Sequence, residues 1–158
     1  MTRRAMLLEA LASTPADIAR LARGLDEAAA TWRPEGGRSC RDLVAELIRR
    51  EEHNRAQFRR VLTEEEPALA APNPPRPAND GEPLATLAEQ FAQARAETLA
   101  LLSAIGPGAW QRPATHPTGG RTTLRFLVQE LVAGDIAQTN QLVMLRSAWR
   151  AAPPESNA

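Results

Sequence analysis

The sequence predicts an all-α protein, an up-and-down four-helix bundle. Three observations carry that reading. Alanine is abundant and the β-branched residues are scattered rather than alternating, which favours helix over strand. Prolines cluster at 67–83, 107–117 and 153–154 and cut the chain into blocks. Within each block apolar residues recur three and four positions apart, as one face of a helix requires. Four helices of about 20 residues would each be about 30 Å long, the size of a bundle.

The first helix is expected over about 3–25. Leu7, Leu8 and Leu11 line one face, and Ile18, Leu21, Ala22 and Leu25 continue it. Pro15 suits the first turn of a restarted helix with Thr14 as its cap, so the block is either one helix kinked near 15 or two short ones. A loop with a Gly pair follows (TWRPEGGRS, 31–39). Ser39 then caps a second helix over 39–63, with Asp42 at the third helical position, where a carboxylate suits the helix dipole. Leu43, Leu47, Asn54, Phe58 and Val61 mark its inner face. Residues 64–82 are polar and Pro-rich and read as a long loop.

The third helix, 83–105, has the most regular pattern. Leu84, Leu87, Phe91, Ala94, Thr98, Leu101 and Ile105 alternate spacings of three and four, a bundle seam. Gly106-Pro107-Gly108 ends it. A second loop, 106–121, contains Trp110, His116 and Gly119-Gly120. Thr122 or Thr123 caps a fourth helix over 122–150, whose inner face is Leu124, Leu127, Leu131, Gln138, Leu142, Leu145 and Trp149. A polar tail, 153–158, closes the chain, so residues 1–152 read as a single domain.

Composition narrows the chemistry. The chain has 158 residues and 17.2 kDa, enough for a core without disulfide or metal staples. Its 19 basic residues balance 19 acidic ones, and this lack of surplus positive charge argues against nucleic acid as a partner. Every basic residue is Arg. With no Lys and no Tyr, a Schiff base, a P-loop lysine or a tyrosine acid is excluded. Cys40 stands alone, so no internal disulfide forms. No apolar run approaches the about 20 residues of a membrane span, and the N-terminal apolar stretch is broken by Glu9, so a cytoplasmic protein with no membrane partner is expected.

Function in a bundle sits where polar groups interrupt the apolar stripes. On the fourth helix the interruption is Gly134, Asp135 and Gln138. On the second it is Glu46, Arg50 and His53. Arg50 and His53 read equally as a half-solvated flank. Gly134 reads either as a close helix contact or as a void that a ligand fills, since mid-helix Gly costs about 1 kcal/mol relative to Ala and something should compensate. Cys40, at a helix start, is either a reactive thiol or a small buried apolar residue. His116 is read as a pocket-rim group or as an organiser of its own loop. Trp32, Trp110 and Trp149 are core or interface anchors.

The chain resembles the DinB/YfiT-like metalloenzyme superfamily over nearly its whole length. The resemblance rests on SCRDLVAELIRREEHNRAQFRRVL for the second helix, FAQARAETLALLSAI for the third, and HPTGGRTTLRFLVQELVAGDIAQTNQLVMLR for the fourth with its preceding loop. It implies a four-helix fold and, in the family, a metal held by three histidines. Those positions fall here on Glu46, Gly134 and Gln138, none of them His, while Asp135, Gln141 and Leu142 keep the surrounding pattern. The resemblance therefore implies a degenerate metal site and no cofactor, in a non-catalytic small-ligand-binding or stress-associated protein. A hydrogen bond between Glu46 and Gln138, or a pairing of Glu46 with Arg50, would fill the emptied site. The alternative is a metal- or thiol-dependent transferase or hydrolase using Glu46 with Asp135 or His53, either at a rebuilt zinc or nickel site or with Glu46 as a metal-free acid or base. A further alternative is a dimerisation module; the resemblance implies a homodimer.

Overall fold

Caps anticipated from the sequence set where two of the four long helices begin, at Ser39 and at Thr123. In the computed structural model, which describes residues 1–79 and 81–153, the four are α1 (Arg3–Ala22), α3 (Cys40–Thr63), α4 (Leu84–Ala104) and α5 (Leu124–Ala151). α1 is capped by Thr2, and α4 has no side-chain cap. The Ser39 hydroxyl accepts from the Asp42 N–H, and the Asp42 carboxylate accepts from the Ser39 N–H, a reciprocal capping box. Thr123 caps α5 by accepting from the Phe126 N–H. Of the expected polar tail, residues 154–158 lie outside the described residues.

The elements differ from the sequence reading at three places. α1 runs unbroken through Pro15, and Thr14 is no cap: its hydroxyl donates to the Asp135 carboxylate at 2.9 Å. A five-residue helix, α2 (Glu27–Thr31), follows α1, capped by Asp26 on the Ala29 N–H. The 106–121 loop holds a 3-10 turn (Pro107–Gln111) and a short antiparallel hairpin of β1 (Pro113–Thr115) and β2 (Arg121–Thr123). Three-residue strands are too short to show alternation in sequence. The Gly119-Gly120 pair turns the hairpin with φ of 91° and 85°, a region glycine enters without steric cost.

α1 packs chiefly on α4 and α5, and α3 packs on the same two. α1 and α3 therefore stand diagonally opposite, and so do α4 and α5. Residues 23–39 and 105–123 carry the chain across the bundle.

The interior is layered. One apolar cluster holds Leu43, Leu47, Leu87, Phe91 and Leu142. The other holds Leu11, Phe58, Leu102, Trp110 and Val128. Thr14, Glu51, Arg95 and Asp135 lie between these clusters on α1, α3, α4 and α5, and all four are buried. Trp32 and Trp149 meet with ring centroids 5.7 Å apart. Among the described residues no helix is long and apolar enough to cross a membrane.

Cys40 belongs to the first apolar cluster. Burial pushes its thiol up to about 11, although nearby Arg146 offsets part of the shift. A buried neutral thiol is a poor nucleophile, so the apolar reading of Cys40 holds and the reactive one does not.

Candidate functional site

The long loop after α3 folds back along that helix as a strap. Side chains of α3 hold it at successive turns. Arg60 donates to the Ala68 carbonyl at 2.8 Å, and the Gln57 amide oxygen accepts from the Ala70 N–H at 2.9 Å. His53 Nε2 lies 3.1 Å from the Ala70 carbonyl, and Arg49 donates to the Arg76 carbonyl at 2.6 Å. Asp42 accepts from the Ala78 N–H at 2.8 Å, and Arg41 donates to the Asn79 carbonyl at 2.9 Å. The prolines in between have no N–H to satisfy, which reduces the number of backbone donors the strap must pair.

Between strap and helix is a cavity of about 360 Å³. Glu46, Arg49, Arg50, Glu52 and His53 line it from α3, with Pro72, Asn73, Pro74 and Arg76 from the strap. Glu46 is buried, and one of its oxygens accepts from Arg49 Nε at 3.1 Å and Nη2 at 2.9 Å. Its partner is thus Arg49, three residues on, rather than Arg50 or Gln138. Gln138 is also buried, but its amide oxygen has no hydrogen-bond partner among the described residues.

Arg50 points toward α5. A Cβ at Gly134 would lie 3.0 Å from Arg50 Nη2 and 3.6 Å from its Cζ, so the guanidinium occupies the space a side chain at 134 would need. A residual void of about 10 Å³ is left there, room for one water at most. Arg50 makes no hydrogen bond or ion pair with any described residue. A cation free of partners, with its edge against a glycine, is the least expected feature of the site.

Asp135 does not line the strap cavity, although with Glu51 it borders the small void beside Gly134. It turns to α1 and α4 and accepts from Arg95 through both oxygens, at 2.7 and 2.9 Å. Arg95 also grips Glu51 at two distances of 2.8 Å and donates to the Leu11 carbonyl at 2.9 Å. All five guanidinium N–H groups are thereby used. The Leu11 carbonyl is available because Pro15, four residues on, has no N–H to offer it. Burial alone would lower the Arg95 pKa, but the two carboxylates outweigh it and hold the pKa above the ordinary arginine value. This cluster joins four helices and is structural.

His116 is distant in role as well. Its ring contacts the Thr118 hydroxyl at 2.6 Å and the Glu130 carboxylate at 3.2 Å. It lines a separate open cleft beside the hairpin with Arg121 and Phe126. So Glu46, Arg50 and His53 share one cavity, Gly134 and Asp135 meet Arg50 only at the small void beside it, and His116 serves elsewhere. The sequence reading missed Arg49, Glu51, Arg95 and the strap. Glu51 did carry a signal: it falls four residues after Leu47 and seven before Phe58, on the apolar stripe.

A divalent ion needs converging deprotonated nitrogen, sulfur or carboxylate donors. Here the carboxylate is held by Arg49, position 134 has no side chain, and position 138 is an amide. A guanidinium lies against the glycine. These residues do not fit a metal, and among the described residues no group of three His, Cys, Asp or Glu is arranged to hold one.

The sequence matches the model of the DinB superfamily over residues 10–135. Two Bacillus subtilis structures are similar in fold. YfiT, described as a probable metal-dependent hydrolase with an unusual four-helix bundle topology, is 17% identical with a TM-score of 0.76, over 94% of this chain and 89% of YfiT. The DinB-like protein YjoA is 14% identical with a TM-score of 0.65, over 94% of each chain. No protein of curated function matches the sequence.

Proposed function

Because this chain belongs to the DinB superfamily, whose model spans residues 10–135, we propose that it is a divergent, non-catalytic member that binds a small molecule beneath its strap. One observation carries the reading: the Arg50 guanidinium rests against Gly134, at a position where the family places a metal-binding histidine. A fixed positive charge there opposes a cation and favours a different occupant. The alternative rebuilt site, Glu46 with Asp135 or His53, has less support. Asp135 is committed to Arg95 and Thr14, and the His53 ring nitrogen Nε2 faces the Ala70 carbonyl.

The test is elemental analysis of tag-free protein from cells grown with added zinc, nickel and manganese. Substoichiometric metal, and a melting temperature that chelator leaves unchanged, are expected. Stoichiometric metal that disappears in Glu46→Gln would overturn the reading in favour of a metal-dependent enzyme.

A second reading concerns assembly. The outer face of α5 leaves Ile136, Val143 and Met144 exposed, the first two seven residues apart on one stripe. Scattered apolar residues are ordinary, but a stripe on one helix favours self-association through α5. Light scattering is expected to give a mass near twice 17.2 kDa, reduced to one copy by Ile136→Glu. A single-copy mass for the unaltered chain would refute this.

A further inference from the structure

We propose that the cavity under the strap is an oxyanion site, taking a small organic anion with a carboxylate or phosphate end that Arg50 grips. The inference rests on the small-ligand reading above and names the chemical class.

Three observations carry it. First, Arg50 lines the cavity and has no partner among the described residues. It is only partly exposed, and its stem is held by α3 while its head lies on Gly134. A guanidinium with free N–H groups at a cavity wall suits a planar two-oxygen acceptor, and charge-assisted pairs of this kind are the strong ones. Second, the residues lining the strap cavity carry a positive excess, and the two carboxylates bordering the void beside Arg50, Glu51 and Asp135, are both held by Arg95. Arg49 is neutralised by Glu46, leaving Arg50 and Arg76 against Glu52 alone. Third, the cavity has a lid. Pro72 and Pro74 cover one side with apolar surface, which lowers the local dielectric and strengthens a charge pair formed beneath them. Its volume of about 360 Å³ lies at the small end of ligand pockets, suited to a metabolite rather than a polymer.

Gly134 has a consistent role. Any side chain there would press on Arg50 at 3.0 Å and displace the guanidinium. The glycine makes room for the cation.

The experiment is calorimetric titration of the full chain with malonate and, separately, with inorganic phosphate, at constant ionic strength with chloride as reference. Saturable binding of at least one probe is expected. Arg50→Gln should weaken it about tenfold or more, and Arg76→Gln by a smaller factor, with unaltered circular dichroism. Arg121→Gln, in the hairpin cleft, should bind as the unaltered protein does. No saturable binding up to about 10 mM would overturn the proposal, as would equal binding by Arg50→Gln, or loss of binding in Arg121→Gln alone. Failure here, in a protein that also holds no metal, leaves the small-ligand reading standing with an uncharged occupant. Stoichiometric metal would instead remove that reading too.

Discussion

Arg95→Ala is expected to destabilise the bundle by about 3–5 kcal/mol, the usual result of removing one partner from a buried ion pair. Arg95 is fully buried, and its two acidic partners on α3 and α5 are almost as deeply enclosed. Without it, Glu51 and Asp135 would face each other's charge in a dry layer, and the Leu11 carbonyl would lose its donor. The loss should appear as a fall in melting temperature of about 10 °C or more for a domain of this size. Size alone would not cause this. Replacing Arg95, Glu51 and Asp135 together by apolar residues of similar volume should cost less than Arg95→Ala, because no unpaired charge stays behind. Denaturant unfolding of both variants checks the claim, and a triple replacement more harmful than the single one would refute it.

Asp42→Ala is expected to cost about 2–4 kcal/mol and to loosen the strap. The carboxylate is buried and accepts from the Ser39 and Ala78 N–H groups and from Arg33 at 2.8 and 3.0 Å. It is therefore both one half of the capping box of α3 and the anchor of the strap's far end. Removing it should raise amide exchange at Ala78 as well as lower the midpoint of unfolding.

The pH dependence follows from the same contacts. Burial on its own would raise the Asp42 pKa. Hydrogen bonds from Arg33, from the Ser39 and Ala78 backbone and from the Ser39 hydroxyl outweigh it, and hold the carboxyl well below its ordinary value of 3.8. A depressed folded-state pKa means stability that is complete above the unfolded value and is lost as pH falls below it. The gap in denaturant midpoint between the unaltered protein and Asp42→Ala should stay constant from neutral pH to about 5 and shrink below about 4. A gap that does not shrink in acid would show that the carboxylate charge contributes little.

What the sequence determined by itself was local. Ser39 with Asp42, and the pair Thr122-Thr123, announced helix starts because a cap acts within three residues. The three-four spacing of Leu84 to Ile105 announced a buried face because a helix repeats at that interval. The order and spacing of the segments around Glu46, Gly134 and Gln138 were enough for the family. The meaning of those three positions was not legible in the same way. Gly134 read as a close contact or as a void, and only packing showed the space to be taken from α3 by Arg50, a residue far away in the chain. Arg95 carried no sign of its two carboxylates, 44 and 40 residues distant, since partners so far apart leave no periodic trace. Pro15 read as a break in a helix until the neighbouring Arg95 supplied the donor it lacks. The strap read as a loop because its ties come from side chains of another element. Backbone preferences act over a few residues and are written in the sequence. The pairing of buried charges is decided when distant helices exclude water from the space between them, and that happens only in the folded chain.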